Sequence, residues 1–236
     1  MWDDIRTAIS FLTIVPLGFA ETRKPGWSLA WYPLVGALIG ALLLTIAVYA
    51  PFATELTAFC ILLAWVIITG GLHLDGFADS CDGLLATVSV DRRLEIMRDP
   101  RTGSWAVIGL VLLLLGKWLC LRDAALPYLV LAPVVGRWVM IIAVIYVDYA
   151  RDKGLGAFFR EGASWREVSI ASVILLLVTL WADALIVVLG VMLGAGLITL
   201  WTARRLGGGI TGDVYGALCE MSEWLCLLGG VLWVSV

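Results

Sequence analysis

The chain alternates long apolar runs with short polar segments. The runs cover 29–50, 56–74, 105–121, 128–147, 169–182, 184–202 and 217–236. Most approach the roughly 20 residues that carry a helix across a bilayer, so the pattern predicts an all-α, polytopic transmembrane helix bundle of about seven spans. The stretch 169–202 is broken only by Asp183, so a tight hairpin of two short spans competes there with one long tilted helix. Residues 1–20 carry Asp3 and Asp4 where a signal peptide would be basic, and Pro16 interrupts a short apolar run. That predicts an interfacial or re-entrant helix retained on the mature protein. Residues 90–100, "VDRRLEIMRDP", read as a short amphipathic helix stopped by Pro100. No fixed-period repeat or low-complexity linker divides the chain, and 1–236 is read as a single integral-membrane domain.

The polar segments set an orientation. With the N-terminus cytoplasmic, the inner segments hold Arg6, Arg23, Lys24, Arg92, Arg93, Arg98, Arg101, Arg151, Lys153, Arg160, Arg166, Arg204 and Arg205, and the outer loops hold only Arg122. This asymmetry follows the positive-inside rule and favours seven spans over six, which would place Arg204 and Arg205 outside. Three larger loops, 75–104, 148–168 and 203–216, then share the cytoplasmic face, where polar chemistry is expected.

Composition agrees: 61% of residues are hydrophobic, 15% are charged, and mean hydropathy is +0.99, well beyond the average of soluble domains. A net charge of −3 and a pI near 5.1 exclude the basic footprint of a nucleic-acid reader. The five cysteines form neither CxxC nor zinc spacing, and the tryptophans near span ends read as an interfacial belt.

Within the first cytoplasmic loop, "GGLHLDGFADSCDGL" (70–84) brings Asp75, Asp79 and Asp82 to positions i, i+4 and i+7. If the second span continues as a helix, they share one face, and three converging carboxylates ask for a cation. Carboxylate oxygens suit Mg²⁺ shared with substrate phosphates, whereas the bland reading is a solvated acidic helix end. His73, the only histidine, is a catalytic candidate against the commoner structural role. The nearby glycines, 70, 71, 76 and 83, permit close packing or close ligand approach.

A second cluster, "RRLEIMRDPRTGS", sets Glu95 and Asp99 among Arg92, Arg93, Arg98 and Arg101. Such a mixture suits a phosphate beside a metal, but taken alone it reads better as a surface helix with ion pairs. A third, "RRLGGGITGDVYGA" (204–217), offers Gly208, Gly209, Thr211, Gly212 and Asp213 either as a phosphate nest at a helix N-terminus or as an interhelical turn. Lys117 and Arg137 fall inside predicted spans, where charge must be paired, and the aspartates are the expected partners. Lys117 has the alternative of snorkelling outward.

In this order, "TGGLHLDGFADSCDGL", "RRLEIMRDPRTGSWAVIGLVLLLLGK", "APVVGR" and "RRLGGGITGDVYGALCEMSE" resemble the cobalamin synthase family, the adenosylcobinamide-GDP ribazoletransferases. The resemblance runs over nearly the whole chain, and its specificity lies in the ordered set. It implies a multi-pass enzyme of the bacterial or archaeal cytoplasmic (inner) membrane. Its Mg²⁺-dependent reaction joins α-ribazole, or its 5′-phosphate, to adenosylcobinamide-GDP with release of GMP, late in vitamin B12 assembly. The family's motifs fall on His73, Asp75, Asp79 and Asp82; on Glu95, Asp99 and Arg101; and on Gly208, Gly209, Thr211, Gly212, Asp213 and Gly216. Two departures stand out. "FLTIVP" lacks the arginine common in the family's FLTRxP, which puts a docking role for that arginine in doubt here, and Cys81 replaces a smaller residue.

The resemblance leads to an expected mechanism. A ribose 5′ oxygen attacks the cobinamide-linked phosphorus, while Asp75, Asp79 and Asp82 hold one or two Mg²⁺ and Asp99 or Asp213 completes the site. One of these aspartates, or His73, takes the proton, and Arg98, Arg101 and Arg137 bind phosphates. The corrinoid is expected in a cavity between helices, with its phosphates in the wetter mouth. Membrane lipid surrounds the bundle; a homo-oligomer and docking of other corrinoid-assembly enzymes are left open. Two rivals remain. A CDP-alcohol phosphotransferase would carry DGxxAR…GxxxDxxxD, but Ala78 is followed by Asp79. An ion-coupled transporter fits poorly with acids clustered at one face and no repeat symmetry.

Overall fold

The computed structural model describes residues 1–19, 24–151 and 154–234. Arg23 and Lys153, two of the positive-inside residues, lie outside the described residues. Among the described residues the secondary structure is helical, with one isolated parallel bridge between Tyr149 and Ile210.

The elements run α1 (Trp2–Leu12), a 3₁₀ segment (Pro25–Trp31), α2 (Tyr32–Tyr49), α3 (Thr54–Thr69), α4 (Leu72–Leu85), α5 (Val90–Ile96), α6 (Ser104–Asp123), α7 (Tyr128–Tyr146), α8 (Leu155–Arg160), α9 (Trp165–Trp181), α10 (Leu185–Arg205) and α11 (Gly212–Val234). Each of the seven apolar runs thus contains a long helix. By length and composition, the 3₁₀ segment with α2, α6, α7 and α10 can each cross a membrane, and α3 with α4 makes a fifth candidate if counted as one bent span.

Helix α7 is the axis of the bundle. It is buried along most of its length between α2 and α11, with α9 on a further side. Close approach is possible because Gly36 and Gly40 of α2 face the α7 backbone, where a Cβ would stand 2.5 Å from the Pro133 oxygen and 2.4 Å from the Val130 Cα. Small residues at such crossings suit a bilayer, where dispersion and fit replace the hydrophobic effect as the force between helices.

The second predicted span does not continue as one helix. Gly70 and Gly71 take left-handed backbone, φ +61° and +68°, and α4 leaves α3 at 90°. Two consecutive left-handed residues are tolerable because neither has a Cβ. The break turns α4 away from the direction of α3 to pack antiparallel to the start of α6 and along α11.

The 169–202 run resolves as a hairpin. Asp183, at φ +50°, turns the chain between α9 and α10, and the two helices then diverge, α9 onto the 3₁₀ segment and α7, α10 onto α11. The amphipathic segment ends as a helix at Ile96, earlier than Pro100 requires, and Met97 tucks under Gly83, where a Cβ would meet its side chain at 2.3 Å. Helix α1 is seated on the bundle through Ala8 and Leu12, both fully buried.

Candidate active site

The acidic helix α4 and the first turns of α11 meet where both carry glycine. A Cβ on Gly76 would lie 2.8 Å from the Asp213 carbonyl oxygen, and one on Gly216 would lie 3.0 Å from that of His73. This double close approach sets Asp75 and Asp79 beside Asp213. The carboxyl of Asp79 is raised from the usual value to about 6, first by partial burial, then by the charges of Asp213 and Asp75, with Arg151 opposing and Asp82 adding a little. Asp213 is also raised, mainly by burial, against the pull of Arg151 and a hydrogen bond from Thr211.

Arg151 is the cation of this group. Its guanidinium stands 2.8 Å from Asp213 and also donates to the Met97 carbonyl. Among the described residues, one guanidinium faces three neighbouring carboxylates, which leaves them an excess of acidic groups. Among the described residues no three His, Cys, Asp or Glu side chains are close enough to form a cage for a metal ion. The donor set nevertheless fits Mg²⁺, which takes one or two protein carboxylates and completes its sphere with water and substrate phosphate.

The three motif aspartates share α4 but not one environment. Asp75 is exposed at the site, and Asp79 is half-buried. Asp82 turns to α6, where its two oxygens accept from the backbone N–H groups of Gly103 at 2.7 Å and Ala106 at 2.9 Å. It therefore satisfies donors at the α6 N-terminus and suits the helix dipole there. Gly103 leaves the room: a Cβ at that position would sit 2.6 Å from an Asp82 oxygen.

The second cluster does not join the site. Glu95 pairs with Arg92 at 2.7 Å, and Asp99 is clasped by Arg101 at 2.9 and 2.6 Å, all at the surface. That clasp holds the Asp99 carboxyl down to about 2. Arg98 and Arg101 are exposed. The surface-helix reading of this motif is the one the geometry favours.

The glycine run is divided between two tasks. The backbone N–H of Gly208 donates to Ala203 and that of Ile210 to Asp148, while Gly209 lies against the 148–150 backbone. These residues form a strap. Gly212 and Asp213 line the site and open α11.

Contrary to the expectation from sequence, Lys117 and Arg137 do not pair with the aspartates. Lys117 bonds Glu220 at 2.6 Å and also Glu223, and Arg137 pairs with Glu223, all four side chains being buried between α6, α7 and α11. Trp65 lies over the Lys117 ammonium at 4.5 Å. Nor does Lys117 snorkel, being 3% exposed. Glu220 and Glu223 had the same signal in the sequence as their partners, acids within an apolar run; two acids and two bases at membrane depth are best read as a neutral set.

One cavity, of about 270 Å³, adjoins the cluster. Its lining includes the polar side chains of Asp75, Asp213, Arg151 and His73 and the aromatic rings of Phe11, Tyr32, Tyr149, Phe159 and Tyr215, with Leu29, Leu72, Met140 and Val144 among the other residues. His73 is 2% exposed, and neither ring nitrogen has a protein hydrogen-bond partner.

Compared with known proteins, residues 4–231 match the family described as cobalamin-5-phosphate synthase. The chain belongs to the cobalamin-5-phosphate synthase family. Proteins named adenosylcobinamide-GDP ribazoletransferase are similar to it nearly end to end. That of Desulfitobacterium hafniense is 39% identical, covering 94% of each chain, and that of Desulforamulus reducens 38%, covering 97% of this chain and 96% of its own. The Chlorobaculum tepidum protein is 34% identical over 100% of this chain and 97% of its own. No solved structure matches. For a cobalamin-5-phosphate synthase, the ordered motifs thus converge only in part: the first and third meet at the cavity, and the second stays at the surface.

Proposed function

We propose that this protein is an adenosylcobinamide-GDP ribazoletransferase of the bacterial inner membrane, Mg²⁺-dependent, with its site at the cytoplasmic ends of the helices. Membership of the family supports the reaction, and one observation carries the mechanism: Asp75, Asp79 and Asp213 crowd one another beside a cavity that Arg151 alone lines as a cation among the described residues. Such a surplus suits a cation-bridged diphosphate.

In the reaction a ribose hydroxyl oxygen bonds to the cobinamide-linked phosphorus, the bond from that phosphorus to the GMP oxygen breaks, and GMP departs with the electron pair. A product that keeps a 5′-phosphate needs this attack to come from a ring hydroxyl, so we place the nucleophile there rather than at the 5′ oxygen. One or two of Asp75, Asp79 and Asp213 would hold Mg²⁺, whose charge would offset that of the diphosphate and the leaving GMP. Asp213 and His73, both lining the cavity, are placed to take the hydroxyl proton. Arg151 keeps Asp213 in position at 2.8 Å and adds positive charge where phosphate oxygens would arrive. The α11 N-terminus, whose Gly212 and Asp213 line the cavity, would favour negative charge there through the helix dipole. Arg137 and Lys117, enclosed with glutamates, organise the bundle beneath the site.

The test is GMP release from adenosylcobinamide-GDP plus α-ribazole by detergent-purified protein with Mg²⁺, beside an Asp79→Asn variant. Release that requires both substrates and collapses in the variant supports the proposal. Turnover of a CDP-alcohol instead, or solute uptake by sealed proteoliposomes without turnover, would replace it.

A further inference from the structure

The cavity beside the carboxylates is lined by both acidic and aromatic side chains, and its volume is modest. At about 270 Å³ it lies just below the range of cavities that enclose drug-sized ligands, and a corrinoid is several times larger. The corrin ring, expected from sequence in a cavity opening between helices at the cytoplasmic interface, is larger than this cavity. A small nucleoside fits it.

The aromatic part of the lining comes from separate parts of the chain. Phe11 of α1, Tyr32 of α2 and Phe159 of α8 form one group, with ring centroids 4.3 Å apart for Phe11 and Phe159 and 6.0 Å apart for Phe11 and Tyr32. Tyr149 and Tyr215 form a second, stacked at 6.2 Å with planes 27° apart. Gly156 lets α8 close over that pair, since a Cβ there would meet Tyr149 at 2.4 Å and Tyr215 at 2.8 Å. Rings from α1, α2 and α8 and the two tyrosines fit a flat aromatic ligand better than a flexible polar one, because offset stacking rewards planar faces.

Resting on the transferase reading above, we infer that this cavity is the acceptor subsite: it holds the aromatic base of the ribazole nucleoside between the Phe11–Phe159 and Tyr149–Tyr215 groups, with the ribose directed at Asp213 and His73. The bulky cobinamide nucleotide then stays outside, bringing only its diphosphate to Asp75, Asp79 and the start of α11. The division explains how one modest site serves two substrates of very different size. The aromatic rings take the base, the acidic side chains take the diphosphate, and the hydroxyl that must react lies at their junction.

Equilibrium dialysis of α-ribazole against the full-length, detergent-solubilised chain, without Mg²⁺ and without the corrinoid nucleotide, tests this independently of turnover. The wild type binds, Phe11→Leu and Tyr149→Leu bind at least about ten-fold more weakly, and ribose 5-phosphate, which lacks the base, fails to displace ribazole. In turnover the same variants raise KM for ribazole in proportion while KM for adenosylcobinamide-GDP stays within about two-fold. Wild-type-like ribazole binding by both variants, displacement by ribose 5-phosphate, no binding by the wild type, or a KM change on the corrinoid nucleotide alone would each overturn the subsite. Normal ribazole binding without any GMP release would instead remove the transferase reading and leave the subsite standing.

Discussion

The Gly76 backbone on α4 lies against that of Asp213 on α11, closely enough that a single added methyl would come within 2.8 Å of the Asp213 carbonyl oxygen. The contact holds the two carboxylate-bearing helices at one distance, and both partners are main chain, so neither can swing aside. Gly76→Ala should therefore push α4 from α11 and separate Asp79 from Asp213. The expected result is a loss of activity of about 100-fold, as misplacement near 1 Å costs in other enzymes, with insertion and detergent solubility kept. Wild-type turnover in Gly76→Ala would show that the spacing is not needed.

Asp79 and Asp82, three residues apart on one helix, should fail in different ways. Asp79→Asn removes a charge that has no hydrogen-bonded protein partner among the described contacts, so the fold should hold or become slightly more stable while turnover is lost. Asp82→Ala strips the acceptor from two N–H groups of α6 and should lower stability by about 1–3 kcal/mol. Thermal unfolding in detergent beside GMP release separates the two; equal destabilisation would put both residues in the same role.

The raised carboxyl of Asp79 has a worked sign. Its folded value is about 6, above the ordinary carboxylate value, so the folded metal-free protein binds this proton more tightly than the unfolded chain. The stability this contributes is complete at low pH and is lost as pH rises through about 6; Asp213 shifts in the same direction. Metal-free protein should thus unfold at a lower temperature at pH 7.5 than at pH 5.5, with Mg²⁺ closing the gap. Mg²⁺ affinity should fall as pH drops below about 6, because protons and metal compete for the same oxygens. An affinity flat from pH 5 to 8 would move the metal elsewhere.

The apolar runs made the helices legible because a bilayer admits few alternatives. What sequence could not reveal was direction. "TGGLH" is equally compatible with a continuous helix and with a 90° turn, and only the left-handed pair Gly70–Gly71 decides it. The i, i+4, i+7 spacing did place Asp75, Asp79 and Asp82 on one helix, but spacing says nothing of the neighbour each side chain meets, and Asp82 meets α6. The aromatic lining left no sequence signal, since Phe11, Phe159 and Tyr149 are scattered through segments that each read as ordinary amphipathic or loop sequence. Lys117 and Arg137 stand out in the sequence as charges needing partners, and so do Glu220 and Glu223, but sequence alone does not say which acids meet which bases.

That buried quartet makes the last prediction. Lys117, Arg137, Glu220 and Glu223 balance in charge, and Glu223 touches both cations, so it is the member whose loss does most damage. Glu223→Gln leaves two cations facing one carboxylate inside the bundle, and breaking a buried pair on one side costs about 3–5 kcal/mol. Arg137→Gln alone should be harmful for the mirror reason. Combined, the two substitutions remove one charge of each sign and restore balance, so the double variant should be less destabilised than the sum of the singles by at least about 1 kcal/mol. Unfolding midpoints of the four proteins in one detergent supply the cycle. Additive effects would mean that the two residues do not act as a pair, and Arg137 would then have to find its counter-charge among the aspartates of α4 after all.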